Sequence, residues 1–527
     1  MRWALPALPL GFVLLVLAAP VARLLGEGLG GAEVAWGAVW QDDFLRHRIG
    51  WTFAQAAITC ALSLVLGLPL AWVLARWEFA GRRWVLRGLM LPFVVPTLVA
   101  ALGVLALWGP RGWIGGPLAQ VGIDLSGTPW LLLYGNLFFN LCLVVRAGVE
   151  ALEQVSASRV AAARTLGATP WRVFWRVEWP AAAPWMASAL CLVFLYCFSG
   201  FGLALVLGGQ RWATAEVEIY TLVAHELALA QASVQAVWML LLTGAVALAY
   251  AHLERRLMAP GRPNPLPRQR PQGPWQWLAL VAALALWAAV CGAPLLAILA
   301  RAAQALWAGQ GAEVLTEPQT RAAAWNTLRF SAMAVLLATA LGLAHALAAR
   351  LFGAWGWVWR GAAYLPFVVS PITVAFGLLL LYPEWTASLP LLVAAYALLA
   401  YPFVAQSLGA ALDALPASYA QAAASLGASP LRVAWRVTLP LVAPALRRGM
   451  AFAAATALGE FAVSLFLSRP EWTTLTTLIH QRLGRPGAAN LDAALVLAAL
   501  LMLLALLAFL LIEGPRRRDT DPHARTA

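Results

Sequence analysis

The feature that most restricts this chain is its supply of long apolar runs. Twelve blocks, near 5–22, 52–75, 88–108, 129–149, 185–208, 232–253, 276–300, 328–349, 360–382, 386–409, 447–468 and 490–512, are each of membrane-crossing length. A helix needs about 20 such residues to cross about 30 Å of hydrocarbon. Lipid offers the backbone no hydrogen-bonding partner, so only helices or closed barrels can span it. The blocks are continuous and lack the period-two alternation of a barrel strand. The expected fold class is therefore all-α, a polytopic membrane protein with 12 transmembrane helices. The first block lacks the small-residue cleavage site of a signal peptide and is read as a span. Composition agrees: 62% of the 527 residues are apolar and 11% charged, with a mean hydropathy of +0.77.

The net charge of +13 would suit a nucleic-acid binder, but its distribution does not. With the N-terminus inside and the loops alternating, 25 of the 36 basic residues and 9 acids fall on the cytoplasmic side. The outer side takes 11 basic residues and 13 acids, leaving Glu460 inside a span. The excess is cytoplasmic, as the positive-inside rule expects, with both termini in the cytoplasm and no nucleic-acid partner. Every basic residue is arginine. A phosphate-binding loop needs its lysine on the nucleotide, so the chain is not a standard ATPase and is expected to be no enzyme. The five cysteines (Cys60, Cys142, Cys191, Cys197, Cys291) lie in apolar spans and read as small core residues, with no metal site expected. The six histidines are scattered without catalytic spacing.

Residues 254–274 hold six prolines and five arginines and read as an extended tether. They divide the chain into halves at 1–253 and 275–512, with a tail at 513–527. The halves repeat. Leu91-Pro92-Phe93-Val94-Val95 returns as Leu365-Pro366-Phe367-Val368-Val369, and 162–184 returns as 422–444 at a constant offset of 260. The second match is mixed in composition, so chance similarity between apolar runs does not account for it. Six spans per half is an even number. Both halves therefore enter the membrane in one orientation, as parallel six-helix repeats about an axis along its normal.

The loops at 156–184 and 416–444 carry the most specific local chemistry. A short helix over Ser158–Leu166 ends at Gly167, suited to a left-handed C-cap. Thr169 then caps a second helix that opens with Pro170, presents Arg172 and Arg176 one turn apart, and is expected to stop at Pro180. Gly427, Ser429, Pro430, Arg432, Arg436 and Pro440 repeat each step. An amphipathic helix resting on lipid would need apolar and cationic faces but no particular Gly-x-Ser/Thr-Pro corner. The repeated corner favours a shaped protein-docking element.

The spacing Ala162-Ala163-x-x-x-Gly167 through Val177, Trp179 and Pro180, and Ala422-Ala423-x-x-x-Gly427 through Val437, Leu439 and Pro440, resembles the "EAA loop" of binding-protein-dependent ABC importer permeases. The acidic first position of that motif is Ala161 in one copy and Gln421 in the other. The resemblance implies a type I importer permease. Its partners would be two copies of an ABC ATPase that carry the ATP and Mg, a periplasmic or lipid-tethered binding protein, and the bilayer of the inner membrane. The chain itself would bind no cofactor, and the two loops would seat in the ATPases. Fused permeases of this length resemble those for thiamine and for ferric iron. Val39-Trp40-Gln41-Asp42, Phe138-Phe139-Asn140, Val177-Glu178-Trp179-Pro180 and Glu218-Ile219-Tyr220 look like the thiamine branch, so thiamine and its phosphates rank ahead of iron.

An ion-coupled secondary transporter ranks lower, because it would carry several intramembrane acids or histidines. A carboxylate within a span usually marks a pathway, and Glu460 faces Gly200 in the repeat. It is a candidate for the substrate pathway, or else for a helix end. Asn136 and Asn140, one turn apart, are similar candidates, with interhelical hydrogen bonding as the competing role.

Overall fold

The structure, a computed structural model, describes residues 4–30, 36–257, 266–309, 312–352, 356–386, 388–467 and 469–514. Its first half contains α1 (Leu5–Gly30), α2 (Asp43–Arg76), α3 (Arg82–Val94), α4 (Thr97–Trp108), α5 (Trp130–Glu153), α6 (Ala157–Thr165) and α7 (Pro170–Phe198). The short α8 (Gly202–Leu207), then α9 (Ala215–Ala224) and α10 (Leu229–Leu257), complete it. The second half contains α11 (Pro274–Trp307), α12 (Pro318–Ala348), α13 (Pro371–Leu381), α14 (Leu389–Ala414) and α15 (Ala417–Ser425). It ends with α16 (Leu439–Leu458), α17 (Ala462–Leu467), α18 (Leu475–Leu483) and α19 (Ala488–Glu513). The only β pairing among the described residues is an isolated bridge between Trp77 and Gln269.

Among the described residues, nine helices are long and apolar enough to span a membrane, or ten if α3 and α4, bent by 106°, count as one. Twelve straight spans are not reproduced. The repeated Leu-Pro-Phe-Val-Val stretches break two of the expected blocks. A residue before proline is held out of the helical region, and here Val95 (ψ 127°) precedes Pro96 and Ser370 (ψ 149°) precedes Pro371. The ninth block is thereby reduced to the 11-residue α13. The block at 447–468 becomes α16, which carries Arg447 and Arg448, followed by the separate α17.

Each half lends its first helix to the other. The last turns of α1 cross α13, and α11 crosses α4. A Cβ placed on Gly377 would lie 3.0 Å from the Pro20 carbonyl oxygen, and one on Gly103 would lie 2.8 Å from that of Pro294. Both glycines and both prolines are 274 residues apart, so one crossing is built twice. Without side chains at these points the backbones approach closely, which is how helices gain contact in lipid.

Pro180 and Pro440 do not stop their helices. A proline leaves the carbonyl four residues earlier without its donor, and the chain absorbs this by widening one turn. Phe174–Glu178 and Ala434–Thr438 are π-helical, with Trp179 N–H bonded to the Phe174 oxygen and Leu439 N–H to the Ala434 oxygen. Each loop helix therefore runs on into the following span. That span ends earlier than the sequence suggests, at Phe198 and Leu458.

Part of the tether is likewise more ordered than its composition implies. Residues 258–265 lie outside the described residues. Beyond them, Gln269 N–H donates to the Arg76 oxygen at 3.0 Å and its own carbonyl accepts from Glu78 N–H at 3.0 Å.

Candidate functional site

Two places in this fold combine exposed or buried chemistry with the repeat. The first is the pair of elbows. Gly167 (φ +79°) and Gly427 (φ +80°) take the left-handed conformation predicted for them. Gly167 N–H donates to the Arg164 oxygen and Ala168 N–H to the Ala163 oxygen, both at 3.0 Å. Gly427 N–H and Ala428 N–H reach Ala424 and Ala423 at 2.9 and 3.1 Å. These are two Schellman caps, which satisfy the last carbonyls of α6 and α15. Ala162 and Ala422 carbonyls accept from the Thr165 and Ser425 hydroxyls, each at 2.8 Å. Arg172 N–H donates to Thr169 Oγ1 at 3.5 Å, and Arg432 N–H donates to Ser429 Oγ at 3.4 Å. Pro170 and Pro430 open the next turn.

The elbows expose what a lone chain would hide. Leu166 and Leu426 at the tips are each 88% exposed, and Trp171 and Trp435 follow at 70% and 65%. Arg172, Arg176, Arg432 and Arg436 are also exposed. A small patch pairing apolar tips with guanidinium groups is suited to a protein surface.

The second place is a cavity of about 340 Å³ between the halves. Phe201 and Phe461, 260 residues apart in sequence, stack at 6.0 Å, so the pseudo-two-fold axis passes between them. Both close breaks in the long helices, at 199–201 and 459–461. Glu460 sits in the second break, where Gly200 sits in the first. Its Oε1 accepts from Val463 N–H at 2.9 Å, so it caps α17, and its side chain also lines the cavity. The helix-end role and the cavity position hold together.

Asn136 and Asn140 line the same cavity. Asn136 Nδ2 donates to Gln55 Oε1 at 2.7 Å, and Gln55 Nε2 donates to the Cys197 oxygen at 2.8 Å. Asn140 Nδ2 donates to the Asn136 oxygen at 2.8 Å and reaches Cys197 Sγ at 3.2 Å. The amides therefore join α2, α5 and α7 while facing the cavity. Opposite and around them stand Phe93, Phe139, Tyr196, Phe367, Phe403 and Phe452. Among the described residues the lining contains one carboxylate and no arginine or histidine.

One carboxylate was missed in the sequence. Glu216, which falls between the expected spans at 185–208 and 232–253, is 1% exposed and accepts from the Ser370 hydroxyl at 2.6 Å, across the boundary between the halves. Nearby, the Arg48 guanidinium donates to the carbonyls of Gln210, Arg211 and Ala213 and pairs with Glu218 at 3.5 Å. The burial was foreshadowed by the run Ala215, Val217, Ile219 and Leu222, which interleaves apolar residues with the two acids.

The chain matches the model of the binding-protein-dependent transport system inner membrane component over residues 63–259 and again over 338–516, and it belongs to that family. It is a permease subunit of an ABC importer, a multi-span component of the inner membrane that works with an ATPase and a binding protein. Over nearly its whole length it is similar to the thiamine transport system permease protein ThiP of Escherichia coli (strain K12), with 29% identity covering 97% of this chain and 96% of that one. The ThiP of Haemophilus influenzae is 27% identical over 93% of this chain and 92% of its own. The sulfate transport system permease protein CysW of a Synechocystis species is 32% identical over 40% of this chain and 76% of its own.

Proposed function

We propose that this permease carries thiamine and its phosphates from a binding protein to the cytoplasm. The observation that carries this reading is the cavity lining: aromatic faces, amides and a single carboxylate, with no cationic side chain. Thiamine joins a flat pyrimidine to a thiazolium cation, and aromatic faces with one carboxylate suit such a group. Ferric ion asks for several hard oxygen donors, which this lining does not supply. Sulfate has no aromatic or cationic part for these faces to hold, and the described lining offers it no cation. The full-length similarity to the two ThiP proteins supports the same choice.

In this reading the elbows, including Arg172, Arg176, Arg432 and Arg436, each receive one ATPase subunit, and ATP and Mg stay on those subunits. Closure of the two ATPases pushes on α6 and α15. The push passes through the widened turns at 174–178 and 434–438 into α7 and α16, which end at the cavity. The elbow side and both termini then face the cytoplasm, and the binding protein docks at the opposite end, on the exposed parts of 209–231 and 470–488. The test is reconstitution with the cognate ATPase and binding protein. ATP-dependent uptake of labelled thiamine, unmoved by excess ferric chelate or sulfate, is the expected outcome. Uptake of iron or sulfate in place of thiamine would overturn the assignment.

A further inference from the structure

The two elbows share their turns but not their supports. Beneath the first, Val155, Val160 and Val173 are buried and form a small apolar cluster with Ala163, Ala168, Val177 and Leu266. Leu266 belongs to the chain that joins the halves. Two residues on, Arg268 pairs with Glu153 at 3.0 Å, at the end of α5, and with Glu78 at 3.4 Å, just past α2. Glu153 is also held by Arg82 at 2.7 Å. Gln269 adds the two backbone hydrogen bonds to Arg76 and Glu78. The π turn of this elbow is anchored as well: Glu178 is buried, forms an ion pair with Arg76 at 3.0 Å and accepts from Trp72 Nε1 at 3.1 Å.

Of these supports the second elbow keeps, among the described residues, a counterpart of the Arg82–Glu153 pair, in which Asp413, 260 residues after Glu153, pairs with Arg360 at 3.3 Å; no linker residue packs beneath it. The position of Val160 is taken by Ala420, which is exposed, Val433 is only half-buried, and Glu178 is replaced by Thr438. No residue of α15 is buried. The surfaces differ in charge too. The first elbow exposes Arg159 and Arg164 in addition to the shared pair, where the second has Tyr419 and Ala424.

We propose that residues 266–270 are a working part of the first elbow: they strap it to α2 and α5 in the pose that receives an ATPase subunit, whereas the second elbow, which forms the same turn, is held firmly in place only when its subunit docks. This rests on the reading of the elbows as ATPase docking surfaces. A prepaid ordering cost strengthens association, so the first elbow is the stronger and earlier docking point, and its two additional arginines favour an acidic rim on the subunit. A chain that fuses its two halves thus makes its docking sites inequivalent, by using the connection itself as the brace.

Backbone hydrogen exchange on the full-length permease alone tests the strap without any ATPase. Leu266→Asp, and separately Arg268→Ala, should raise exchange across 157–173 by about tenfold, the scale of one lost partly buried contact. Exchange across 417–433 and in α2 and α5 should stay unchanged, which shows that the variant remains folded. A photo-crosslinker placed at 166 or at 426 then reports docking of the added ATPase. Leu266→Asp should lower the yield at 166 and leave that at 426 as it was. Unchanged exchange at 157–173 in both variants overturns the strap, whatever the ATPase does. Raised exchange with no crosslink from either position in the unaltered protein instead overturns the docking reading and, with it, this use of the strap.

Discussion

Replacing Gly167 and Gly427 with valine isolates the turn from everything around it. A Cβ at either position meets no atom within 4 Å, so no clash is introduced and only the backbone is perturbed. At φ +79° and +80° an ordinary side chain costs about 1–2 kcal/mol, with a β-branched one at the upper end. Restricting the unfolded chain returns about 0.4–1 kcal/mol. The net loss is about 1 kcal/mol per elbow, roughly a fivefold fall in the ordered population. The elbows lie on different halves, so the losses should add to about 2 kcal/mol, or roughly thirtyfold, in the double variant. Asparagine tolerates the left-handed region and is the control of comparable size but lower strain. The assay is the concentration of purified ATPase needed for half-maximal co-purification with the permease in detergent. Valine should raise it by these factors and asparagine only slightly. If valine and asparagine behave alike, or if neither changes ATPase capture while uptake continues, the shape of the turn is irrelevant and the docking argument fails.

Other outcomes follow from the cavity and the helix crossings. Glu460→Gln keeps an acceptor for the Val463 N–H but removes the charge, so thermal stability should hold while thiamine uptake falls by about tenfold, the effect of 1.4 kcal/mol. Equal uptake would remove Glu460 from the pathway. Glu460→Ala also loses the cap of α17 and should lower stability by about 1 kcal/mol. Gly103→Leu or Gly377→Leu drives a side chain into the facing proline carbonyl and should cost about 1–3 kcal/mol each, read as a lowered unfolding midpoint in detergent. An unchanged midpoint would contradict the close crossing. Cys142 and Cys291 approach with their sulfurs 3.3 Å apart across the two halves. With a protease site inserted at the junction, oxidant-catalysed crosslinking should join the fragments on a non-reducing gel, and Cys142→Ser should abolish the join.

Much of this architecture was legible in the residues. The apolar blocks gave the membrane class, and the elbows were readable to single residues because glycine at positive φ and proline at a first helical turn have few other uses. The breaks were harder to read. Ser199–Phe201 and Gly459–Phe461 interrupt apolar runs whose composition hardly changes, so hydropathy passes over them and the spans are drawn too long. Pro180 misled in the opposite direction, since a widened turn can carry a helix through a proline. Glu216 falls between the expected spans because its neighbours are short of a full span, yet burial depends on the opposite half, on Ser370 154 residues away. The exchange of α1 and α11 left no local trace either: it is a relation between distant glycines and prolines that only tertiary contact makes visible.

That exchange bears on how the chain is made. A ribosome delivers α1 long before α12 and α13, the helices of the second half against which α1 packs. During that interval the first helix has only its own half to lean on, and its outward side must wait in lipid until about 350 further residues have been synthesised, a loop that closes at little extra entropic cost for its length. Gly377 then has to arrive opposite Pro20 as the second half assembles. Maturation of this permease is thus completed by its two halves clasping each other, and a truncated first half would be left with one side of α1 unclaimed, open to capture by any similar partner.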